Sequence, residues 1–85
     1  MNRSDIFTEI RAERARQAAK WNRHHAWGYG DCSSHQVLDP VKATVLTEEC
    51  GEVARAVLDR KLEDLRTELI QVAAVAIAWL EGLPS

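Results

Sequence analysis

The chain of 85 residues carries 11 Lys and Arg against 13 Asp and Glu, a formal charge of −2 with its histidines neutral. That length holds one domain with a modest core, for which association with a second copy is a ready source of stability. The near-balance of charge argues against a nucleic-acid binder working by phosphate neutralisation, and two cysteines are too few for a disulfide framework, so both read as reduced thiols of a cytoplasmic protein. The start leads into a charged helix and not an apolar signal segment. The longest nearly apolar stretch, Val72 to Leu80, is too short to span a bilayer, so no membrane partner is expected.

Ser4-Asp5 offers a helix cap, and Ile6, Phe7, Ile10, Ala12, Ala15, Ala18 and Ala19 follow at amphipathic spacing. The first helix is expected over about 4–21, with Arg11, Glu13, Arg14, Arg16 and Lys20 mostly on its wet side. From residue 22 to 39 the pattern breaks into a loop rich in Gly, Asp and Ser. It holds His24, His25, Trp27, Tyr29, Cys32 and His35. Trp21 and Trp27 can close the end of a bundle as apolar plugs, and loops of this length are often functional.

Asp39-Pro40 reads as cap and first position of a second helix running to about residue 59. Gly51 costs about 1 kcal/mol inside it relative to alanine, which predicts close approach of a backbone or ligand. A third helix is expected over about 62–81, ended by Gly82 and Pro84. Almost nothing from Ile70 to Leu80 is charged, and an apolar helix must be covered. One short chain cannot readily do so, which predicts a partner subunit. Sheet signals and internal repeats are absent. The expected fold is an all-α bundle of three main helices, completed by dimerisation.

Chemistry concentrates in Leu46-Thr47-Glu48-Glu49-Cys50-Gly51-Glu52. On a helix Glu49 and Glu52 lie about 60° apart and Glu48 and Glu52 about 40° apart. Like charges at those spacings repel, and a divalent cation offsets the repulsion most simply. Sixteen residues after Glu52 comes Glu68, with Gln71 at i+3, again in an apolar run. Antiparallel packing of the two helices lets Glu49 and Glu52 face Glu68 and Gln71. Four hard oxygen-bearing side chains suit Mg²⁺, with Mn²⁺ as the alternative, and such a metal shared with phosphates assists their hydrolysis. Glutamate pairs at i, i+3 also occur widely on plain solvated helix faces.

Glu48-Glu49-x-x-Glu52 followed by Glu68-x-x-Gln71 resembles the EExxE…ExxD signature of the MazG-like all-α nucleotide pyrophosphohydrolases. Leu46, the Gly51-Glu52-Val53-Ala54 run, Arg14-x-x-Gln17 and Lys20-Trp21 match as well, so the resemblance spans about residues 10–82. It implies cleavage of a nucleoside triphosphate between the α and β phosphates, giving a monophosphate and pyrophosphate, in a helical homodimer or dimer of dimers. Carried over, Glu49, Glu52 and Glu68 are metal ligands, Glu48 is a ligand or holds a water, and Trp21 lies near the base. Gln71 stands where the family has aspartate: its amide oxygen can coordinate Mg²⁺ but carries no charge and cannot act as a base.

Further candidates for substrate contacts are His24 and Trp27 in the loop, and Lys42 and Arg55 as phosphate-binding cations, with Lys61 and Arg66 also available. Cys32, His35, His24 and His25 contain zinc-ligand types, but their spacing matches no standard finger. Cys50 lacks an evident base and is not expected to be a nucleophile. The rival to an enzyme is a catalytically weak helical module binding nucleotide or a protein partner; a purely structural bundle is the plainest alternative.

Overall fold

Helices form where apolar residues recur every three to four positions, and local chemistry sets their ends. In the computed structural model, which describes residues 1–85, the elements are α1 (Arg3–Lys20), β1 (His24–His25), β2 (Gly28–Tyr29), α2 (Asp39–Leu58) and α3 (Leu62–Gly82). Asn2, and not Ser4 or Asp5, caps α1: its side chain accepts the Asp5 N–H at 2.9 Å. Asp39 likewise is not a cap. It belongs to α2, whose N-cap Leu38 has no side-chain hydrogen bond, and Pro40 sits in the first turn where its missing N–H costs nothing. Asp39 instead accepts the Trp79 indole N–H at 3.0 Å, tying the start of α2 to the end of α3.

At the other end of α2, Arg60 adopts a left-handed φ of 55°. Lys61 N–H then reaches the Ala56 carbonyl and Arg60 N–H the Val57 carbonyl, each at 3.1 Å, a Schellman closure. The reversal sends α3 back antiparallel along α2. α1 runs parallel to α3, because Glu9 meets Arg66 at 3.4 Å and, further along both helices, Arg14 meets Glu81 at 2.8 Å. α3 is therefore central and packs on both neighbours, while α1 and α2 do not pack on each other. That leaves a cleft between α1 and α2, floored by α3.

The core is small. Ile10, Cys32, Val37, Ala56, Ala74, Val75 and Ala78 are its buried apolar members, with Val45 and Leu46 packed against Cys32, Val75 and Ala78. Lys42 is buried too, at 2 % exposure. A Cβ on Gly82 would lie 2.8 Å from the Lys42 Nζ and 2.8 Å from the Ser33 carbonyl oxygen, so these groups meet at the end of α3. The last turn of α3 has no basic residue of its own, and Lys42 brings a cation there from α2, where the helix dipole favours one.

Two expectations are corrected. The segment between α1 and α2 contains a minimal antiparallel hairpin, His24 paired with Tyr29 and His25 with Gly28; two-residue strands are too short for alternation to show in a sequence. Gly28 turns at φ 137°, and a Cβ there would strike the Gln36 carbonyl oxygen at 2.5 Å. Gly51, by contrast, has nothing within 4 Å of the place its Cβ would take. No close neighbour within this chain explains it. No helix is long and apolar enough to cross a membrane, and both cysteines are free, Cys32 buried and Cys50 exposed.

Candidate functional site

The cleft encloses about 340 Å³, within the size range of small-molecule sites. Its α1 wall is Glu13, Arg16, Gln17 and Lys20, and its α2 wall Val45, Glu48 and Glu49. Gln71 and Val75 form the floor from α3, and Trp21, Trp27, Cys32 and Val37 close the far end. Glu13, Glu48 and Glu49 gather at one end, and the aromatic rings, with Asp31, at the other.

At the acidic end Gln71 sits between two carboxylates. An amide oxygen facing them would be repelled, so the amide is oriented with its nitrogen toward them. In that orientation it donates to Glu68 Oε2 at 2.9 Å and to Glu49 Oε2 at 3.2 Å. Two acids on two helices thus approach one atom. Burial, then repulsion by Glu68, Glu48, Glu52 and Glu13, pushes the Glu49 carboxyl above its usual range. Burial, then Glu52, Asp64 and Glu13, does the same to Glu68. A site where several carboxylates resist ionisation together has an affinity for positive charge.

The donor set is oxygen throughout, and so fits Mg²⁺ or Mn²⁺ in kind. Convergence is partial: Glu49 and Glu68 meet at Gln71, but no three His, Cys, Asp or Glu side chains form a group that could hold a metal. The same holds for the zinc reading of Cys32, His35, His24 and His25.

The aromatic end is built by the hairpin. Trp21 and Trp27 lie 6.0 Å apart at 46°. His25 packs edge-on to Trp21 at 5.3 Å and against Trp27 at 4.8 Å. Its Nε2 donates to the Gly30 carbonyl oxygen at 2.7 Å, and its Nδ1 is buried without a partner. Lys20 and Arg23 each stand 5.2 Å from the Trp21 ring. The hairpin is fastened by Arg14, which donates to Asp31 Oδ2 at 2.9 Å and to Glu81 Oε1 at 2.8 Å. Asp31 Oδ1 in turn accepts both the backbone N–H and the hydroxyl of Ser33.

Of the residues singled out from the sequence, the cleft gathers Glu48, Glu49, Gln71, Trp21 and Trp27. Glu68 borders it through Gln71, and Glu52 is sensed there through its charge. The three others lie elsewhere. His24 is exposed and stacks edge-on to Tyr29 at 4.9 Å. Lys42 is buried beside Gly82, and Arg55 is an exposed partner of Asp59 at 3.8 Å. The cleft's own cations are Arg16 and Lys20, and its further acids are Glu13, held by Arg16 and Gln17, and Asp31, held by Arg14 and Ser33. Glu13, Arg16, Gln17 and Lys20 share the i, i+3, i+4, i+7 face of α1, so their common stripe was visible in the sequence as spacing.

Comparison of the chain with protein-family models, with curated proteins and with solved structures gives no match.

Proposed function

We propose that the protein is a Mg²⁺-dependent, MazG-like nucleoside triphosphate pyrophosphohydrolase, cleaving the α–β phosphoanhydride of a canonical or non-canonical (d)NTP to a (d)NMP and pyrophosphate in nucleotide-pool housecleaning. The observation that carries this is the approach of Glu49 and Glu68, from two helices, to the single Gln71 amide at one end of a cleft whose other end is aromatic. When bound, Mg²⁺ or Mn²⁺ supplies charge neutralisation on the phosphates and polarises the anhydride. Glu49, Glu52, Glu68 and the Gln71 oxygen would hold it, which requires the three carboxylates to draw together and the Gln71 amide to turn over. Glu48, on the α2 wall beside Glu49, accepts a proton from the attacking water. Lys20 and Arg16, facing Glu48 and Glu49 across the cleft, offer charge to the phosphate chain, the role expected earlier of Lys42 and Arg55. Trp21 and Trp27 receive the base.

The protein would act in the cytoplasm as a homodimer or dimer of dimers. Leu69, 51 % exposed, and Leu62, 75 % exposed, lie in one apolar groove and support this as a face in need of cover.

A second reading is favoured by the same amide: Gln71 holds Glu49 and Glu68 together with no cation needed, as a weak or inactive module that binds nucleotide or a protein partner would. Pyrophosphate release from a panel of nucleoside triphosphates decides between them, run with Mg²⁺ and with EDTA on wild type and Glu52→Gln. Metal-dependent release that falls at least a hundredfold in the variant is expected. Absence of release from every nucleotide by folded protein would remove the enzyme reading.

A further inference from the structure

We infer that the aromatic end of the cleft is a stacking slot that takes a planar base without reading its hydrogen-bonding edge. The inference rests on the nucleotide reading above and specifies its substrate class: (d)NTPs that differ in edge chemistry are accepted alike. Edge readout needs uncommitted donors and acceptors in complementary pairs, because rejection of a wrong base comes from leaving such groups unpaired.

Here the polar side chains near the rings, Lys20 apart, are already engaged with one another. Asp31 accepts from Ser33 twice and from Arg14 once. Gln17 donates to Glu13 at 3.1 Å and accepts from Arg14 at 3.4 Å. The Gly30 carbonyl oxygen is taken by His25, and His25 itself does not line the cleft. What remains for a ligand is apolar wall from Val37, Val45 and Val75, the two indole faces, and the Cys32 thiol, which burial keeps protonated. The polar side-chain groups with capacity left at this end are the indole N–H groups, the second Gln17 N–H and the Lys20 ammonium, all donors, beside the weakly polar thiol. Any residual preference therefore falls toward keto over amino edges, and it is small.

The test uses dCMP and dUMP, which present an amino and a keto group at the same ring position, titrated into the wild-type protein in EDTA with tryptophan fluorescence as the signal. Trp79, bonded to Asp39 away from the cleft, contributes a constant background. Both should quench with Kd values within tenfold of each other. Trp27→Ala should weaken both by the same factor, about tenfold, whereas Trp27→Phe, which keeps a smaller ring, should weaken both equally but by less than the alanine variant. A tenfold or larger difference between the two nucleotides, or no quenching by either, would overturn the slot. Binding of both without any pyrophosphate release from dCTP or dUTP in Mg²⁺ would instead sink the enzyme reading and leave the slot standing.

Discussion

Glu49 on α2 and Glu68 on α3 share one hydrogen-bond donor, the Gln71 amide nitrogen, at 3.2 and 2.9 Å. That nitrogen offers the positive end of a dipole where two like charges meet. A carboxylate in its place would add a third charge to the pair. Gln71→Asp is therefore expected to lower the metal-free melting temperature by several degrees, about 1 kcal/mol for a chain of this size, and to enlarge the rise on adding Mg²⁺. Thermal scans of both proteins in EDTA and in Mg²⁺ measure this. Identical scans would place Gln71 outside the metal site. Turnover adds a separate outcome: a large gain in the variant would mark the natural site as weakened.

The pH response of the metal-free protein follows from the same acids. Burial and their neighbours' charge raise Glu49 and Glu68 above the ordinary carboxylate range. A folded-state pKa above the unfolded value means the proton is bound more tightly when folded, so this contribution is present at low pH and lost as pH rises through the raised values. Glu49→Gln removes the repulsion, each like-charged pair costing about 0.2–0.5 kcal/mol. It should melt a few degrees above wild type in EDTA at pH 7 and gain nothing near pH 4. A variant less stable than wild type at pH 7 would mean that the charge cluster is not repulsive.

Asp31 titrates with the opposite sign. Burial by itself would raise its carboxyl, but the Ser33 hydroxyl and backbone N–H bonds, with Arg14, outweigh it and hold it below the usual range. Its contribution is present above the unfolded pKa and is lost as pH falls through the depressed folded value. The side chains of Arg14 and Asp31 are 14 % and 8 % exposed. Removing the Asp31 charge leaves Arg14 with Glu81, which is largely exposed, as its one ionic partner and weakens the charge-assisted bonds from Ser33 and Arg14, at a cost of about 2 kcal/mol. Asp31→Asn should melt well below wild type at pH 7, with the difference narrowing toward pH 3. Because Asp31 fastens the segment carrying Trp27, nucleotide binding should weaken along with stability. Retained wild-type melting would mean that the Arg14–Asp31 pair does not hold the hairpin.

The helices were legible because each shows several turns of apolar period, and the two acidic edges because Glu48, Glu49 and Glu52 on one helix, and Glu68 and Gln71 on the next, fall at helical spacings. What escaped depends on tertiary placement. That α1 and α2 stand apart over α3, making the cleft, has no local signature. Lys42 looked like an available surface cation, yet it is buried beside Gly82 at the end of α3, where no basic residue of that helix stands. Glu13, Arg16 and Lys20 looked like a solvated stripe, and only the position of α1 turns them toward Glu48 and Glu49. The Gly51 expectation failed for a similar reason, since a costly residue in a helix need not be explained inside its own chain.

The apolar surface left over leads to the last prediction. Met1, Ile6, Ile10, Leu62, Leu65, Leu69, Ile70 and Ala73 line a shallow groove between α1 and α3, and Leu69 is half exposed in it. Burying the exposed half of one leucine contributes about 1–1.5 kcal/mol. In a two-fold dimer each change counts twice, so losing that burial from both copies removes about 3 kcal/mol, or roughly a hundredfold in Kd. A charge at that position adds its own desolvation cost. Leu69→Glu should therefore convert an oligomer to a folded monomer at micromolar concentration, seen by sedimentation, with unchanged helical circular dichroism. A wild-type chain that sediments as a monomer would remove the oligomer proposal. An oligomer indifferent to Leu69→Glu would move its interface to another apolar patch, such as Val57 and Leu58 on α2.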